Sequence, residues 1–240
     1  MAGLGISDKL ELAVLKVSQR LSTITPPTNW AQWSEDSLWH ELIACMLGSM
    51  VSFEHAQAAA DYLNTKGLLN VANHLRNPRK FELRLFKALS SPVYPPVTRS
   101  GNGRKYRYPK LRANHIRRTA ESIYQAGESI RNLLYSGKDS RDTRVRIMGA
   151  AVGVGPKQAS LFLRNIGYAD DLAILDRHVL EYMFFLGFLP VRTRGMTSLS
   201  AYVEVEDRLR TYAKRVRMDL SSLDTSIWVV MRVFQKEFAQ

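Results

Sequence analysis

A lysine and an aspartate in the C-terminal half of the chain have the residue types and the spacing for covalent catalysis. Lys157 follows Pro156 in the stretch GVGPKQA, which places the lysine in the first turn of a predicted helix. The positive end of the helix dipole disfavours a charged ammonium there, and a neutral amine is a nucleophile towards carbonyl-like carbons. Asp176 comes 19 residues later, directly before the predicted helix RHVLEYM. An aspartate at that position stays ionised, although capping the helix is its structural alternative.

The stretch that leads to Lys157 predicts a helix–hairpin–helix over residues 141–166. Gly153 and Gly155 lie where a tight hairpin must form, and Pro156 suits the first helical position because its missing N–H is not needed there. Glycines let the backbone approach a phosphate closely, and free amides at the start of the second helix point outward to bind it. The alternative is an ordinary turn between two core helices.

The elements that position these residues are predicted to be helices. Apolar residues recur at three- and four-residue spacing over most of the chain, and alternating strands are scarce. The predicted helices cover residues 7–21, 34–50, 53–65, 78–89, 111–126, short segments between Gly127 and Ile147, and residues 144–152, 156–166, 176–186, 198–216 and 222–238. Residues 90–109, 167–175 and 187–197 are predicted to be irregular joints. The predicted fold class is all-α.

The charge of the chain points to a nucleic acid partner. Thirty-four Lys and Arg against 22 Asp and Glu leave a formal net charge of +12, and basic side chains release counterions when they neutralise phosphates. Residues 98–110 form a basic loop without an acidic residue, in which the candidate DNA contacts are Arg104, Lys105, Arg107 and Lys110. Tyr106 and Tyr108 lie among them and either stack on nucleic acid or anchor the base of the loop.

Several other classes of protein are disfavoured. The single cysteine, Cys45, excludes an intramolecular disulfide, a thiolate metal cluster and an iron–sulfur site. The five histidines lack metal-ligand spacing with carboxylates, so no metal is expected. Asp8 and Glu11 interrupt the N-terminus where a signal peptide is apolar, and no apolar stretch approaches the roughly 20 residues of a membrane span. We therefore expect a cytoplasmic, nucleoid-associated protein that is not secreted.

The residues from 153 to 183, GVGPKQASLFLRNIGYADDLAILDRHVLEYM, resemble a known family. They are similar to the helix–hairpin–helix DNA glycosylases, and most similar to the compact, archaeal-type branch of 8-oxoguanine DNA glycosylase/AP lyases. Three further stretches resemble other segments of the same branch: ELIACMLGSMVS from Glu41, YRYPKLRANHI from Tyr106 and LDTSIW from Leu223.

The resemblance implies a fold and a reaction. The fold is an all-α helix–hairpin–helix architecture in which two helical subdomains flank a DNA-binding cleft. The partner is double-stranded DNA, from which a damaged or modified base, with 8-oxoguanine favoured, is flipped out. Lys157 would displace the base and form a Schiff base that leads to strand cleavage by β-elimination, while Asp176 would stabilise positive charge on the sugar. Gly153 and Gly155 would hold a phosphate, and no cofactor is needed.

Five residues are candidates for supporting roles. Arg177 and His178 follow Asp176 and are candidate DNA contacts, with packing or solvent exposure as the alternatives for His178. Trp228 resembles an aromatic residue that stacks near the flipped base, and Asp224 lies one helical turn before it. A core position is the alternative for Trp228, and capping of the last helix is the alternative for Asp224. Met50 is a third base-pocket candidate, and its region is where we expect a residue that fills the gap left by the flipped nucleotide.

The chain is predicted to be one glycosylase unit, residues 1–240, that acts as a monomer. Its approximate subdomains are residues 35–150, which include the basic loop, and residues 1–34 plus 151–240. The second subdomain is predicted to hold the hairpin, the catalytic pair and the C-terminal helices.

Three other functions stay open on the sequence. The turn at Met50 and the terminal Gln240 depart from the archaeal-type branch, so the same chemistry could serve another modified base, including a bulky base in foreign (phage) DNA. A non-catalytic helix–hairpin–helix protein would bind DNA but would have no activity for Lys157→Gln to remove. A basic structural or ribosome-associated protein would prefer RNA.

Overall fold

A computed structural model describes residues 5–21, 29–94, 103–125, 127–196 and 198–238. Within these residues the chain forms twelve α-helices: α1 Ile6–Leu21, α2 Glu35–Leu47, α3 Phe53–Thr65, α4 Val71–Arg76, α5 Pro78–Leu89, α6 Pro109–Ala120, α7 Ile130–Tyr135, α8 Ser140–Ala150, α9 Pro156–Asn165, α10 Arg177–Phe185, α11 Leu199–Arg215 and α12 Leu220–Phe238. The β pairing in this part of the chain is one isolated bridge between Tyr94 and Arg104. The prediction of an all-α fold is confirmed.

Local side-chain chemistry explains where many of these helices begin. Ser34, Ser52 and Ser129 each accept a hydrogen bond from a backbone N–H in the first turn of the helix that follows. Asp139 does the same at the start of α8. Such caps satisfy amides that have no partner inside the helix.

The structure differs from the prediction at two elements. The helix predicted over residues 111–126 ends as an α-helix at Ala120 and continues as a single π-helical turn, Glu121–Gln125. The short helix α4, Val71–Arg76, was not predicted, because six residues show too little periodicity to be seen in a sequence.

The chain divides into two compact units, residues 29–168 and residues 1–28 plus 169–240. These boundaries differ from the predicted division at residue 150, because the hairpin and α9 belong with the helices that precede them. In the first unit α9 packs against α2 and α8, and the buried guanidinium of Arg144 on α8 donates to Ser160 Oγ on α9 at 3.2 Å. Buried contacts therefore hold the hairpin in the first unit.

The second unit, residues 1–28 plus 169–240, has its own apolar core. α12 packs against α1, α10 and α11. Its buried centre includes Val14, Leu180, Leu209, Leu223 and Ile227. Among the helices that the structure describes in either unit, none is long and apolar enough to cross a membrane.

Candidate active site

The hairpin between α8 and α9 depends on a glycine. Gly153 has φ +76°, a left-handed conformation that side chains disfavour. A Cβ atom at this position would also lie 2.2 Å from Nδ1 of His115, so the histidine ring packs directly against the hairpin. The neighbouring amide of Val152 donates to Thr119 Oγ1 at 2.9 Å. Two residues of α6 thus fix the hairpin.

The start of α9 leaves amides available for a ligand. Gly155 is the N-cap residue with extended backbone, φ −96° and ψ −177°, and Pro156 follows at the first helical position. No side chain caps this helix. Since the first-turn amides of a helix have no intrahelical partner, those of Lys157 and Gln158 can bind an anion. Lys157 is half-buried, and among the described residues its ammonium makes no hydrogen bond or ion pair.

A buried thiol in the same unit, Cys45, lies close enough to Lys157 for the two to interact electrostatically. Glu41 Oε1 on α2 accepts hydrogen bonds from Asn165 Nδ2 on α9 at 2.7 Å and from Cys45 Sγ at 3.4 Å. Burial raises the pKa of the Cys45 thiol, and the charge of Glu41 raises it further, whereas the charge of Lys157 opposes the shift. The thiol is therefore protonated. The charge of Lys157 lowers its pKa, but by less than burial and Glu41 raise it.

Asp176, in the other unit, caps a helix with one carboxylate oxygen and leaves the other oxygen free. Its Oδ1 accepts from the backbone amides of His178 at 2.8 Å and Val179 at 3.0 Å, so the predicted capping role is confirmed. Oδ2 has no hydrogen bond within the described part of the chain, and the side chain is half-buried. The cap fixes the carboxylate while one oxygen stays available.

Three side chains hold the extended stretch that leads to Asp176, and sequence reasoning missed two of them. Ala173 N donates to Glu206 Oε1 at 3.0 Å, and Ile174 N donates to Asp224 Oδ2 at 2.7 Å. Leu175 N donates to the hydroxyl of Tyr202 at 3.0 Å, and the same hydroxyl donates to the Ala173 carbonyl at 2.7 Å. All three side chains are buried. The two that were missed are Glu206 and Tyr202, and the available signal for Glu206 was an acidic residue in the apolar register of a helix.

Asp224 does not cap the last helix. The residue at that start is Asp219, whose Oδ1 accepts from the amide of Ser222 at 2.7 Å. Asp224 lies inside α12 with 2% of its surface exposed, and it holds the backbone two residues before Asp176. Capping, the alternative considered from the sequence, is therefore wrong for Asp224.

Arg177, His178 and Trp228 lie together near the start of α10. Arg177 Nε donates to His178 Nε2 at 3.3 Å, and the His178 and Trp228 rings are 6.4 Å apart, edge to face. The guanidinium of Arg232 lies 4.8 Å over the indole. Burial lowers the pKa of His178, Arg177 and Arg232 add to this effect, and Asp176 opposes it. Trp228 is half-buried, so part of the indole is accessible.

The basic loop is anchored by one of its tyrosines. Tyr106 is buried and donates from its hydroxyl to the Leu47 carbonyl at 2.6 Å, so this tyrosine holds the loop and is not exposed for stacking. Arg107 Nη1 donates to the Met50 carbonyl at 3.4 Å. The candidate contacts with exposed side chains are Arg104, Lys105, Arg107 and Lys110. Residues 98–102 of the predicted loop lie outside the described residues.

The turn after α2 presents an unusual methionine. Met50 is 68% exposed and has φ +64°, the left-handed conformation that favours glycine and asparagine. Its carbonyl contacts Arg107, and the nearby Leu47 carbonyl accepts from Tyr106. The basic loop therefore holds this turn while the methionine side chain points into solvent.

Comparisons with known proteins identify the family. A family profile described as "8-oxoguanine DNA glycosylase" matches residues 96–218. The "8-oxoguanine DNA glycosylase/AP lyase" of Saccharolobus solfataricus is 30% identical over 197 residues, which cover 81% of this chain and 83% of that protein. The chain belongs to the 8-oxoguanine DNA glycosylase family.

Solved structures have the same fold as this member of the glycosylase family. The 8-oxoguanine DNA glycosylase of Thermotoga maritima has a TM-score of 0.62 and 27% identity over 93% of this chain and 90% of that chain. The Methanocaldococcus jannaschii 8-oxoguanine glycosylase/lyase, solved in complex with a 15mer DNA containing 8-oxoguanine, has a TM-score of 0.63 and 22% identity. The alignment covers 94% of this chain and 90% of that chain, and the likeness shows a shared helix–hairpin–helix fold.

The predicted site residues of this glycosylase-family chain divide between the two units. One unit holds Lys157, Gly153, Gly155, Met50, Arg104, Lys105, Arg107 and Lys110. The other holds Asp176, Arg177, His178, Trp228 and Asp224. Across the described residues, no group of three or more His, Cys, Asp or Glu side chains could hold a metal ion. The terminal Gln240 lies outside the described residues.

Proposed function

We propose that this protein is a bifunctional DNA glycosylase/AP lyase that excises 8-oxoguanine from double-stranded DNA. The observation that carries this proposal is the position of Lys157, in the uncapped first turn of α9, directly after the glycine hairpin of a glycosylase-family chain. The related Saccharolobus solfataricus protein has the name of this activity, which supports it.

The proposed reaction uses the Lys157 amine as the nucleophile. Its nitrogen forms a bond to C1′ of the damaged nucleotide while the C1′–N9 bond breaks, and the base leaves with that electron pair and takes up a proton. Opening of the sugar ring then gives a Schiff base between Nζ and C1′. Removal of a C2′ proton breaks the C3′–O3′ bond, and water hydrolyses the Schiff base and frees the amine.

Asp176 would stabilise the positive charge that develops on the sugar as the glycosidic bond breaks. The capped Oδ1 and the free Oδ2 support this role, because the carboxylate is held in place without being neutralised by a cation. The buried side chains of Glu206, Asp224 and Tyr202 are proposed as positioning residues, since they hold the backbone that leads to Asp176.

The DNA would be bound through its phosphates. The hairpin amides at Gly153, Gly155 and the start of α9 suit one backbone phosphate, because they are donors without a side-chain cap. The four exposed cations of the basic loop and Arg177 would neutralise others. His178, a candidate contact from the sequence, is 6% exposed and its ring packs against Trp228, so the packing alternative describes this residue. A single chain supplies all these groups, and we propose that the protein acts as a monomer.

Met50 and Trp228 would act on the bases. The exposed methionine in its strained turn suits insertion into the base stack, where it would fill the space left by the flipped nucleotide. The partly accessible indole of Trp228 suits stacking on the flipped base. Asp224, the third base-pocket candidate, is proposed to act through the backbone near Asp176.

Borohydride trapping tests the lysine chemistry directly. The purified protein is mixed with labelled duplexes that contain 8-oxoguanine, modified pyrimidines or a preformed abasic site, and borohydride reduces any Schiff base to a stable adduct. We expect an adduct with the 8-oxoguanine duplex that Lys157→Ala abolishes. Lys87→Ala, at an exposed lysine of α5, is the matched control and should leave the adduct unchanged.

The other outcomes are equally informative. An adduct with a modified pyrimidine but not with 8-oxoguanine would keep the lysine mechanism and replace the proposed base. An adduct that persists in Lys157→Ala would assign the nucleophile elsewhere. A folded protein that binds DNA but forms no adduct with any duplex would be a non-catalytic binder. Asp176→Asn, which keeps a capping side chain, should lower the single-turnover excision rate by about 100-fold or more.

A further inference from the structure

His115, on α6, packs against the hairpin at Gly153. Its ring packs against Gly153 so closely that a Cβ atom there would come within 2.2 Å of Nδ1 and 2.3 Å of Cε1. One turn further along α6, Thr119 accepts the hydrogen bond from Val152 N at 2.9 Å. One face of α6 therefore contacts the hairpin at two points.

A hydrogen bond from Arg112 determines which ring nitrogen of His115 carries the proton. Arg112 Nη1 lies 3.2 Å from His115 Nδ1. Because a guanidinium can only donate, Nδ1 must accept, and the proton of the neutral ring is on Nε2. Burial and the charges of Arg112 and Arg118 lower the pKa of His115, which keeps the ring neutral at physiological pH.

The arginine that orients the ring is itself held in place. Arg112 is 4% exposed and hydrogen-bonds the hydroxyl of Tyr106, which in turn donates to the Leu47 carbonyl. This chain of buried contacts connects the turn after α2 with the hairpin. The orientation of His115 is therefore preorganised, and within the described residues its Nε2 makes no hydrogen bond.

We propose that His115 is a DNA-binding residue whose Nε2–H donates to a non-bridging oxygen of the phosphate held by the hairpin amides. The proposal rests on the proposed function, because it takes the hairpin as the phosphate site. The donor is neutral, so it adds a directional hydrogen bond to the fixed amides without adding a positive charge.

Two substitutions separate the donor from the packing of the ring. His115→Phe keeps an aromatic ring against Gly153 and removes the donor, whereas His115→Gln keeps an N–H near the position of Nε2. The probe is a duplex that contains a tetrahydrofuran abasic analogue, which cannot be cleaved. We expect His115→Phe to bind about tenfold more weakly than the unsubstituted protein, as for loss of a hydrogen bond to a charged group, and His115→Gln to bind within about threefold.

Substitution of single phosphates in the DNA distinguishes a hydrogen bond from a packing role, because packing of the ring does not depend on any one phosphate oxygen. A single methylphosphonate, which replaces one non-bridging oxygen, is placed in turn at each phosphate near the abasic analogue. At the contacted phosphate, the methylphosphonate should weaken DNA binding by the unsubstituted protein more than it weakens DNA binding by His115→Phe. The reason is that His115→Phe has already lost the hydrogen bond that the methylphosphonate removes. The salt dependence of binding by His115→Phe should keep its slope, since no cation is lost.

Three results would overturn the inference. His115→Phe could bind as well as the unsubstituted protein, or His115→Phe and His115→Gln could weaken binding equally, which would assign the ring a packing role alone. The losses of binding free energy caused by the methylphosphonate and by His115→Phe could also be additive at every phosphate, which would show that His115 contacts none of them. Absence of DNA binding by the unsubstituted protein would overturn the proposed function as well, so the two failures are distinguishable.

Discussion

The carboxylate of Asp224 accepts a hydrogen bond from the backbone amide of Ile174 at 2.7 Å, two residues before Asp176. The carboxylate is buried inside α12, where an acidic side chain is costly unless it is hydrogen-bonded. Asp224→Ala should leave the Ile174 amide without a partner and lower the free energy of unfolding by about 1–3 kcal/mol. It should also slow base excision, measured in single-turnover assays at saturating protein. Val233→Ala, at an exposed position of α12, is the control for the helix itself. Unchanged stability and rate for Asp224→Ala would exclude the positioning role.

The hairpin glycine can be tested against two other glycines of the same unit. Gly153→Ala introduces a side chain at φ +76° and into the ring of His115, so both strain and a clash should destabilise the protein, by about 2 kcal/mol or more. Gly127→Ala has a similar φ of +73° with open space around it, and isolates the strain. Gly149→Ala, within α8 and also in open space, should stabilise by about 0.5–1 kcal/mol. Urea unfolding ranks the three, and a different order would contradict this account of the hairpin.

Substitution of Met50 by glycine is expected to raise stability and to lower activity. Met50→Gly removes a side chain from a left-handed backbone at φ +64° and should stabilise the protein by about 1 kcal/mol. Because the side chain that is proposed to enter the base stack is then missing, adduct formation with a duplex that contains an intact 8-oxoguanine should slow. Trapping on a preformed abasic site should be less affected, since no base must be displaced. Equal trapping of both duplexes by Met50→Gly and the unsubstituted protein would argue against insertion.

The lowered pKa of His74 leads us to expect that the protein loses stability in mild acid. Burial lowers the pKa of this histidine to about 3, partly offset by the backbone of Leu68, and its ring centroid lies 3.5 Å from that of Phe81 with the rings tilted by 40°. The unfolded chain binds a proton near pH 6.5 and the folded chain does not, so stability is complete above that pH and falls as the pH drops towards 3. At pH 5 the protein has therefore lost about 2 kcal/mol of its free energy of unfolding, compared with neutral pH, through this group. Denaturant unfolding between pH 7.5 and 5 should show it, and His74→Phe should flatten the profile.

Cys45 is predicted to be unreactive in the folded protein. Burial and Glu41 raise the pKa of its thiol, and only the thiolate reacts with alkylating reagents. Iodoacetamide at pH 8 should label the folded protein far more slowly than the urea-unfolded chain, with mass spectrometry as the measurement. Glu41→Gln removes a carboxylate that raises this pKa and should accelerate labelling. Labelling of the native protein at the rate of the unfolded chain would show that the thiol is accessible.

The sequence determined the features that depend on neighbouring residues. Apolar spacing predicted most of the helices, the order glycine, glycine, proline predicted the hairpin and the start of α9, and Asp176 was placed at a helix start, where it caps α10. These features follow from backbone geometry and hydrogen bonding within a few residues, so they can be predicted without knowledge of the fold. The catalytic roles of Lys157 and Asp176 stay a prediction from family resemblance and local chemistry.

Only the tertiary structure decided which distant side chains support those features. Tyr106 could have stacked on DNA, but its hydroxyl reaches the Leu47 carbonyl, 59 residues earlier. Glu206 and Asp224 look like ordinary helix acids, yet they hold amides 33 and 50 residues away. His115 has no sequence signal that connects it with Gly153. The physical reason is that a buried polar group takes whichever partner the packed chain brings to it, and that partner depends on the whole fold.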